Sequence, residues 1–280
     1  MQGKLYVVPT PIGNLKDITL RALETLKSVD FIAAEDTRHS IKLLNHFEIK
    51  KQLISYHKFN EYNKLEEIIT KIGDGKKIAL VSDAGTPGIS DPGSILISRC
   101  IEEGIEFEVL PGATAITTAL VSSGLDTTKF VFRGFLPRDK KERNSLLEEI
   151  KEYSETIIFY ESPHRIIKTL NILKEKLGDR ELSICRELTK LHEQIIRMRI
   201  SDAIEYYQNI SPRGEYVLVV RGKSEEEFLA EKRSKWENIS IEEHIIKYIE
   251  EGFSKKEAMK KTAKDRGMSK SEVYKYSINI

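Results

Sequence analysis

Short apolar runs alternate with stretches of helical period along most of this chain. Runs at 5–9, 31–34, 53–56, 77–81 and 107–110 are rich in Val, Ile, Ala and Leu. Continuous apolar runs of that length predict strands buried on both faces, as in a parallel sheet. Between them, Leu20, Leu23 and Leu26 fall on one helical face. Further helical stretches run through Leu43 and Leu44, over 64–72, and up to about Glu103. Asp17 or Thr19 is placed to cap the first of these helices. Strands alternating with helices predict right-handed crossovers and one parallel sheet.

The pattern changes after residue 112. Apolar runs at 130–132, 156–160, 182–185, 195–200 and 214–220 predict five more strands, with helices over 139–152, to about Leu177, and over 202–209. More strands follow one another directly here, so a mixed sheet is expected. Residues 224–238 are charged and read as a linker helix. Three short helices follow at 241–250, 255–266 and 270–277, with Ser254 and Ser269 as N-caps and Gly252 and Gly267 in the breaks,. That module is compatible with a helix-turn-helix. The expected division is 1–112, 113–223 and 224–280.

The longest loop is the most informative. Residues 82–93 leave the run at 77–81 and turn through three glycines and two prolines. Strand-to-helix loops are ordinarily about 2–6 residues long. Asp91 is expected to be the next helix's N-cap, with Pro92 at its first position. Other polar or Gly/Pro-rich loops follow strands at 9–15, 35–38, 111–115, 161–165 and 186–190. Parallel strands gather such loops on one rim, where open α/β sheets bind ligands.

Composition narrows the chemistry. The chain has 280 residues, 40% hydrophobic and 32% charged, with a net charge of +1. From Phe253 to Ile280 there are eight Lys/Arg against three Asp/Glu, a local basic excess. Cys100 and Cys185 fit no disulfide framework and no metal spacing, and the six histidines are scattered. No metal site and a reducing cytoplasm are therefore expected. No apolar run is long enough for a membrane helix, and no signal-peptide pattern opens the chain. A Gly-x-x-x-x-Gly-Lys-Ser/Thr loop, a Gly-x-Gly-x-x-Gly turn after the first strand and a Gly-x-Ser-x-Gly elbow are all missing. Group transfer by positioning fits what remains. Glu35, Asp36 and Glu161, each at a strand's end, are candidate proton acceptors. Arg38, Arg138, Arg165, Arg186 and Lys190 are candidate phosphate contacts on the same rim.

Leu5-Tyr6-Val7-Val8-Pro9-Thr10-Pro11-Ile12-Gly13-Asn14-Leu15 resembles the opening of the tetrapyrrole methylase superfamily, as does Leu110-Pro111-Gly112-Ala113-Thr114-Ala115 further on. Glu35-Asp36-Thr37-Arg38, the 82–93 loop, Glu161-Ser162-Pro163-His164-Arg165 and Arg186-Glu187-Leu188-Thr189-Lys190 resemble the branch that methylates small-subunit ribosomal RNA. Porphyrin-modifying members usually carry Gly-Asp-Pro where Ser82-Asp83-Ala84 stands here. The resemblance covers about residues 4–222.

It implies two α/β domains with S-adenosylmethionine between them and 2′-O-methylation of a decoding-region cytidine in 16S rRNA. It also implies a homodimer. The family's cofactor contacts fall on Pro11, Ile12, Gly13, Asp83, Gly85, Thr86, Ala115 and Ile116. They continue near Tyr160, Leu188, Gly214 and Glu215. The terminal module would add RNA contacts through Lys255, Lys256, Lys260, Lys261, Lys264 and Arg266. A small-molecule, tetrapyrrole-type methyltransferase of the same fold is the alternative.

Overall fold

A computed structural model describes residues 3–234, 236, 238–278 and 280. The first five strands, β1 (Lys4–Val7), β2 (Phe31–Ala34), β3 (Gln52–Ser55), β4 (Lys77–Val81) and β5 (Phe107–Val109), form an all-parallel sheet in the order β3-β2-β4-β1-β5. Four helices cross over between them: α1 (Leu20–Ser28), α2 (Thr37–His46), α3 (Glu61–Gly73) and α4 (Ser94–Glu102). Both faces are covered, which is why these strands read as continuous apolar runs. Leu5, Val7, Ile78 and Leu80 face one apolar core, and Val8, Ile32, Ala34 and Val81 face another.

The second sheet is mixed, as its closely spaced strands predict. Its strands are β6 (Phe130–Phe135), β7 (Thr156–Glu161), β8 (Glu181–Arg186), β9 (Gln194–Arg199) and β10 (Tyr216–Val220), in the order β6-β7-β10-β8-β9. β6 runs parallel to β7, and the other pairings are antiparallel. One face packs on α6 (Lys140–Ile150), α7 (Ile166–Leu177) and α8 (Ile200–Asn209) through Leu147, Leu170 and Ala203. The other face packs on α5 (Ala115–Ser123) through Ala119 and Leu120. The helix that leaves the first sheet thus becomes the floor of the second. Beyond α9 (Glu225–Ser234), the helices α10 (Ile241–Glu250), α11 (Lys255–Arg266) and α12 (Lys270–Tyr276) share their own small core of Ile245, Ala258, Ala263 and Val273.

Capping follows the sequence at Thr19, Ser254 and Ser269 and departs from it at Asp91. Thr19 caps α1, accepting from the Ala22 amide at 3.0 Å. Ser240, Ser254 and Ser269 each form a reciprocal capping box with the Glu three residues on,. Asp91 does not cap α4. That helix begins at Ser94 behind Gly93, whose φ of 137° no side-chain-bearing residue adopts easily,. The loop therefore runs two residues further than expected, and the Asp91 side chain is available elsewhere.

Candidate functional site

Three loops at the carboxyl ends of β1, β4 and β5 are tied together. The amides of Thr10 and Gly85 donate to each other's carbonyls at 2.9 and 3.0 Å. The Thr10 hydroxyl donates to the Ser82 carbonyl at 3.2 Å, and the Thr86 hydroxyl to the Ala113 carbonyl at 3.4 Å. Gly85 has φ +79°, so the turn needs a residue without a Cβ,. On the neighbouring strands, the Asp36 amide donates to the Asp83 carboxylate at 3.1 Å. The Asp83 amide in turn reaches the Glu35 carboxylate at 3.4 Å.

The second sheet brings its own loops to the same place. The 9–15 loop touches the loop after β8: the Asn14 amide donates to the Thr189 hydroxyl at 3.0 Å. The Glu187 carboxylate accepts from the Glu215 amide at 2.9 Å, and Lys190 pairs with Glu187 at 3.1 Å and Glu215 at 2.7 Å. Among the described residues, four non-glycine residues have positive φ. Three of them, Ser90, Glu187 and Thr189, sit on these facing loops, and backbone strain of that kind gathers at functional sites,.

Between the two sets of loops lies a cavity of about 410 Å³, a size typical of small-ligand sites. Of the twelve residues expected to hold the cofactor, Ile12, Asp83, Gly85, Thr86, Ala115, Tyr160, Leu188 and Glu215 line it. Pro11, Gly13, Ile116 and Gly214 do not line it. Ile116 packs into the core under the second sheet. A Cβ on Gly13 would lie 2.8 Å from the Leu188 carbonyl, and one on Gly214 would lie 2.6 Å from a Glu187 carboxylate oxygen. Both glycines act by permitting close approach.

The three candidate proton acceptors separate clearly. Glu35 lines the cavity, and burial, helped by the nearby Asp83 charge, raises its proton affinity. Asp36 does not line it. Its carboxylate caps α2 and grips the Arg38 guanidinium, which holds it far below the usual carboxylate range. Glu161 lines the cavity but is only 2% exposed. Its oxygens accept from the Ser162 amide at 2.8 Å and the Thr169 hydroxyl at 2.6 Å. The Arg165 guanidinium lies 3.5 Å from it as well, so its oxygens are engaged within the protein. Asp91, expected as a cap, is instead a cavity carboxylate. Burial, with Glu35 and Asp83 close by, pushes it up to about 7.

The rim cations are also mostly engaged within the protein. Arg38, with its side chain 88% exposed, pairs with Asp36 at 2.7 Å. Arg165 donates to the Leu136 carbonyl, and Arg186 donates to the Arg213 carbonyl at 2.6 Å and to Gln194 at 2.9 Å. Arg138 is exposed on the turn after β6, and Lys190 reaches the cavity wall. In the terminal module, Arg266 turns inward to His244 and the carbonyls of Ile239 and Ser240. Lys255, Lys256, Lys260, Lys261 and Lys264 are exposed. Among the described residues, no group of three His, Cys, Asp or Glu side chains is arranged to hold a metal ion. No helix there is long and apolar enough to cross a membrane.

Residues 4–204 match the family described as Tetrapyrrole (Corrin/Porphyrin) Methylases. A Bacillus subtilis (strain 168) protein named Ribosomal RNA small subunit methyltransferase I is 50% identical over 272 residues, covering 97% of this chain and 93% of its own length. A Thermotoga maritima protein of the same name is 49% identical over 221 residues, covering 79% of this chain and 99% of its own length. Among solved structures, a diphthine synthase superposes with a TM-score of 0.63 at 14% identity, covering 79% of this chain and 90% of its own. A uroporphyrin-III-C-methyltransferase from Thermus thermophilus superposes with a TM-score of 0.54 at 20% identity, covering 78% and 94%. These two show the fold.

S-adenosylmethionine is the family's methyl donor, and the cavity suits it. Ile12, Ala115 and Leu188 offer apolar wall, Gly85 brings backbone close, and Asp83 adds a carboxylate to the lining, a charge that favours a cationic ligand,. The chain belongs to the tetrapyrrole methylase family, in the branch of the relatives named Ribosomal RNA small subunit methyltransferase I.

Proposed function

We propose that this protein methylates the ribose 2′-oxygen of a decoding-region cytidine in 16S rRNA, within the small ribosomal subunit and in the cytoplasm. The observation that carries the reading is near-full-length identity of 50% to a small-subunit methyltransferase, joined to a cavity lined from both sheets. Residues 1–112 and 113–223 are then the halves that clasp the donor, and 224–280 is a basic module that touches RNA backbone. A second copy of the chain completes a homodimer.

The donor supplies an activated methyl group on a sulfonium. The residues of this chain bind and orient it through Ile12, Asp83, Gly85, Thr86, Ala115, Tyr160, Leu188 and Glu215. Positioning of this kind can supply roughly 7–11 kcal/mol of the barrier. The two facing loop sets wall the cavity and limit the access of water to it. The hydroxyl proton passes to a cavity carboxylate, and Glu35 and Asp91 are the two whose proton affinity is raised,. Arg138 and Lys190 meet phosphates at the rim, and the exposed lysines of α11 meet them further out.

The test offers radiolabelled S-adenosylmethionine with unmodified small subunits and, separately, a precorrin-type tetrapyrrole. Label on 16S rRNA, mapped to one cytidine ribose, is the expected result. Label on the tetrapyrrole alone would replace this reading with a small-molecule methylase.

A further inference from the structure

We propose that Phe135 is the platform on which the base of the acceptor nucleotide stacks. The inference deepens the RNA reading above and rests on it. β6 pairs in regular register with β7 from Phe130↔Thr156 to Phe132↔Ile158, then shifts so that Phe135 pairs with Tyr160. Three steps on one strand thus match two on the other. Gly134, at φ +61°, makes the bulge possible. Bulges re-aim side chains, and they gather next to active sites.

The consequence is visible on either side of the bulge. Leu136 is 1% exposed, and its carbonyl is held by the Arg165 guanidinium. Phe135, one residue earlier, is 50% exposed and lines the cavity. Its ring is braced edge-on by Tyr160 at 5.8 Å, and Phe132 braces the same Tyr160 at 4.8 Å. A large, half-exposed apolar ring is thereby braced in the cavity wall. From the facing sheet, Ile89, 45% exposed, lines the same cavity. A Cβ on Gly134 would lie 3.5 Å from the Ser90 hydroxyl, so the bulge and the 82–93 loop meet there.

The occupant follows from chemistry. A half-exposed ring held rigidly beside cavity carboxylates suits a flat, polar-edged group, and unpaired nucleobases stack on such rings. Arg138 on the turn just beyond, and Lys140 and Lys141 at the start of α6, lie exposed, placed for the phosphates on either side of that base,.

The experiment measures methyl transfer against small-subunit concentration, with S-adenosylmethionine affinity taken separately by calorimetry. Phe135→Ala is expected to raise the KM for subunits roughly 5- to 150-fold. Its donor affinity stays within about twofold of the native protein. Phe135→Tyr behaves as native, and Phe135→Leu, which keeps apolar bulk without a ring, behaves as Ala. An unchanged KM in Phe135→Ala, or Leu as effective as Tyr, overturns the proposal. So does a fall in donor affinity, which would put Phe135 at the donor. A changed oligomeric state in sedimentation with native KM would assign the ring to a contact between copies and overturns it too. If the native protein labels no subunit, the RNA reading itself has failed.

Discussion

Gly13 lies against Lys190 so closely that a Cβ at position 13 would stand 2.5 Å from the lysine Cγ, and 2.8 Å from the backbone carbonyl of Leu188. The first loop of one sheet and the loop after β8 of the other meet at that point. Lys190 is held there by Glu187 and Glu215, and Asn14 bonds Thr189 beside it. The loops of the two sheets thus touch across the cleft here.

Gly13→Ala should therefore act on the cleft without touching the donor. The backbone carbonyl cannot yield as a side chain can, so the two loops must part. A cost of about 1–3 kcal/mol in stability is expected, with weaker S-adenosylmethionine binding. Denaturant melts with and without the donor check it. Native stability and native affinity together would mean the loops do not fix the cleft.

Gly85→Val tests the long loop. At φ +79° a β-branched residue is strained, and a Cβ would meet the Ile12 side chain at 3.4 Å,. The paired bonds between Thr10 and Gly85 would distort with it. Donor affinity should fall by at least about tenfold. Calorimetry returning the native value would remove Gly85 from the site.

Asp91 makes stability depend on pH in a direction opposite to most carboxylates. In the folded protein it holds its proton up to about 7, against about 3.9 in an unfolded chain. The folded state binds more protons through that window, so this group's contribution is full below about pH 4 and is lost as pH rises through 7. Glu35, Asp83, Ser82 and Tyr160 are the polar groups that face it. Asp91→Asn cannot ionise. Relative to the native protein it should gain about 1–3 kcal/mol between pH 5 and pH 8, allowing for partial exposure. Urea midpoints at the two pH values measure this, and a pH-independent difference between the proteins would contradict it.

Removal of residues 225–280 should separate RNA affinity from donor affinity. The terminal helices have their own core, and the cavity draws no residue from them. Lys223 should be kept, because it pairs with Glu152 at 2.7 Å and its amide bonds the Tyr153 carbonyl. The shortened protein should bind S-adenosylmethionine as the full chain does and bind small subunits more weakly, with a shallower salt dependence. Equal subunit binding at two salt concentrations would take the basic module out of RNA recognition.

Much of the fold was legible because local chemistry decides it. The strands at 31–34 and 77–81 lie where the apolar runs place them, and the helix at 255–266 starts behind the expected cap Ser254 and stops before Gly267. The insertion of β10 between β7 and β8 was not legible, since strand order depends on contacts far apart in sequence. The site divided the same way. Gly/Pro-rich loops announced themselves, and eight of the twelve expected cofactor residues line the cavity. Asp91 was hidden by a good N-cap pattern that Gly93 overrode. Arg165 and Arg186 looked like a cationic rim, but besides the nearby Glu161 and Gln194 they hold the carbonyls of Leu136 and Arg213, 29 and 27 residues away, which no local pattern reveals. Phe135 was hidden for a related reason, because only the bulge against β7 turns it outward.

The most direct measurement is a crystal structure of this protein grown with S-adenosylmethionine. The account predicts the donor in the cleft between the two sheets, in contact with Ile12, Asp83 and Gly85 on one side and Leu188 and Glu215 on the other. Donor density outside that cavity, or contact with only one of the two sheets, would contradict it.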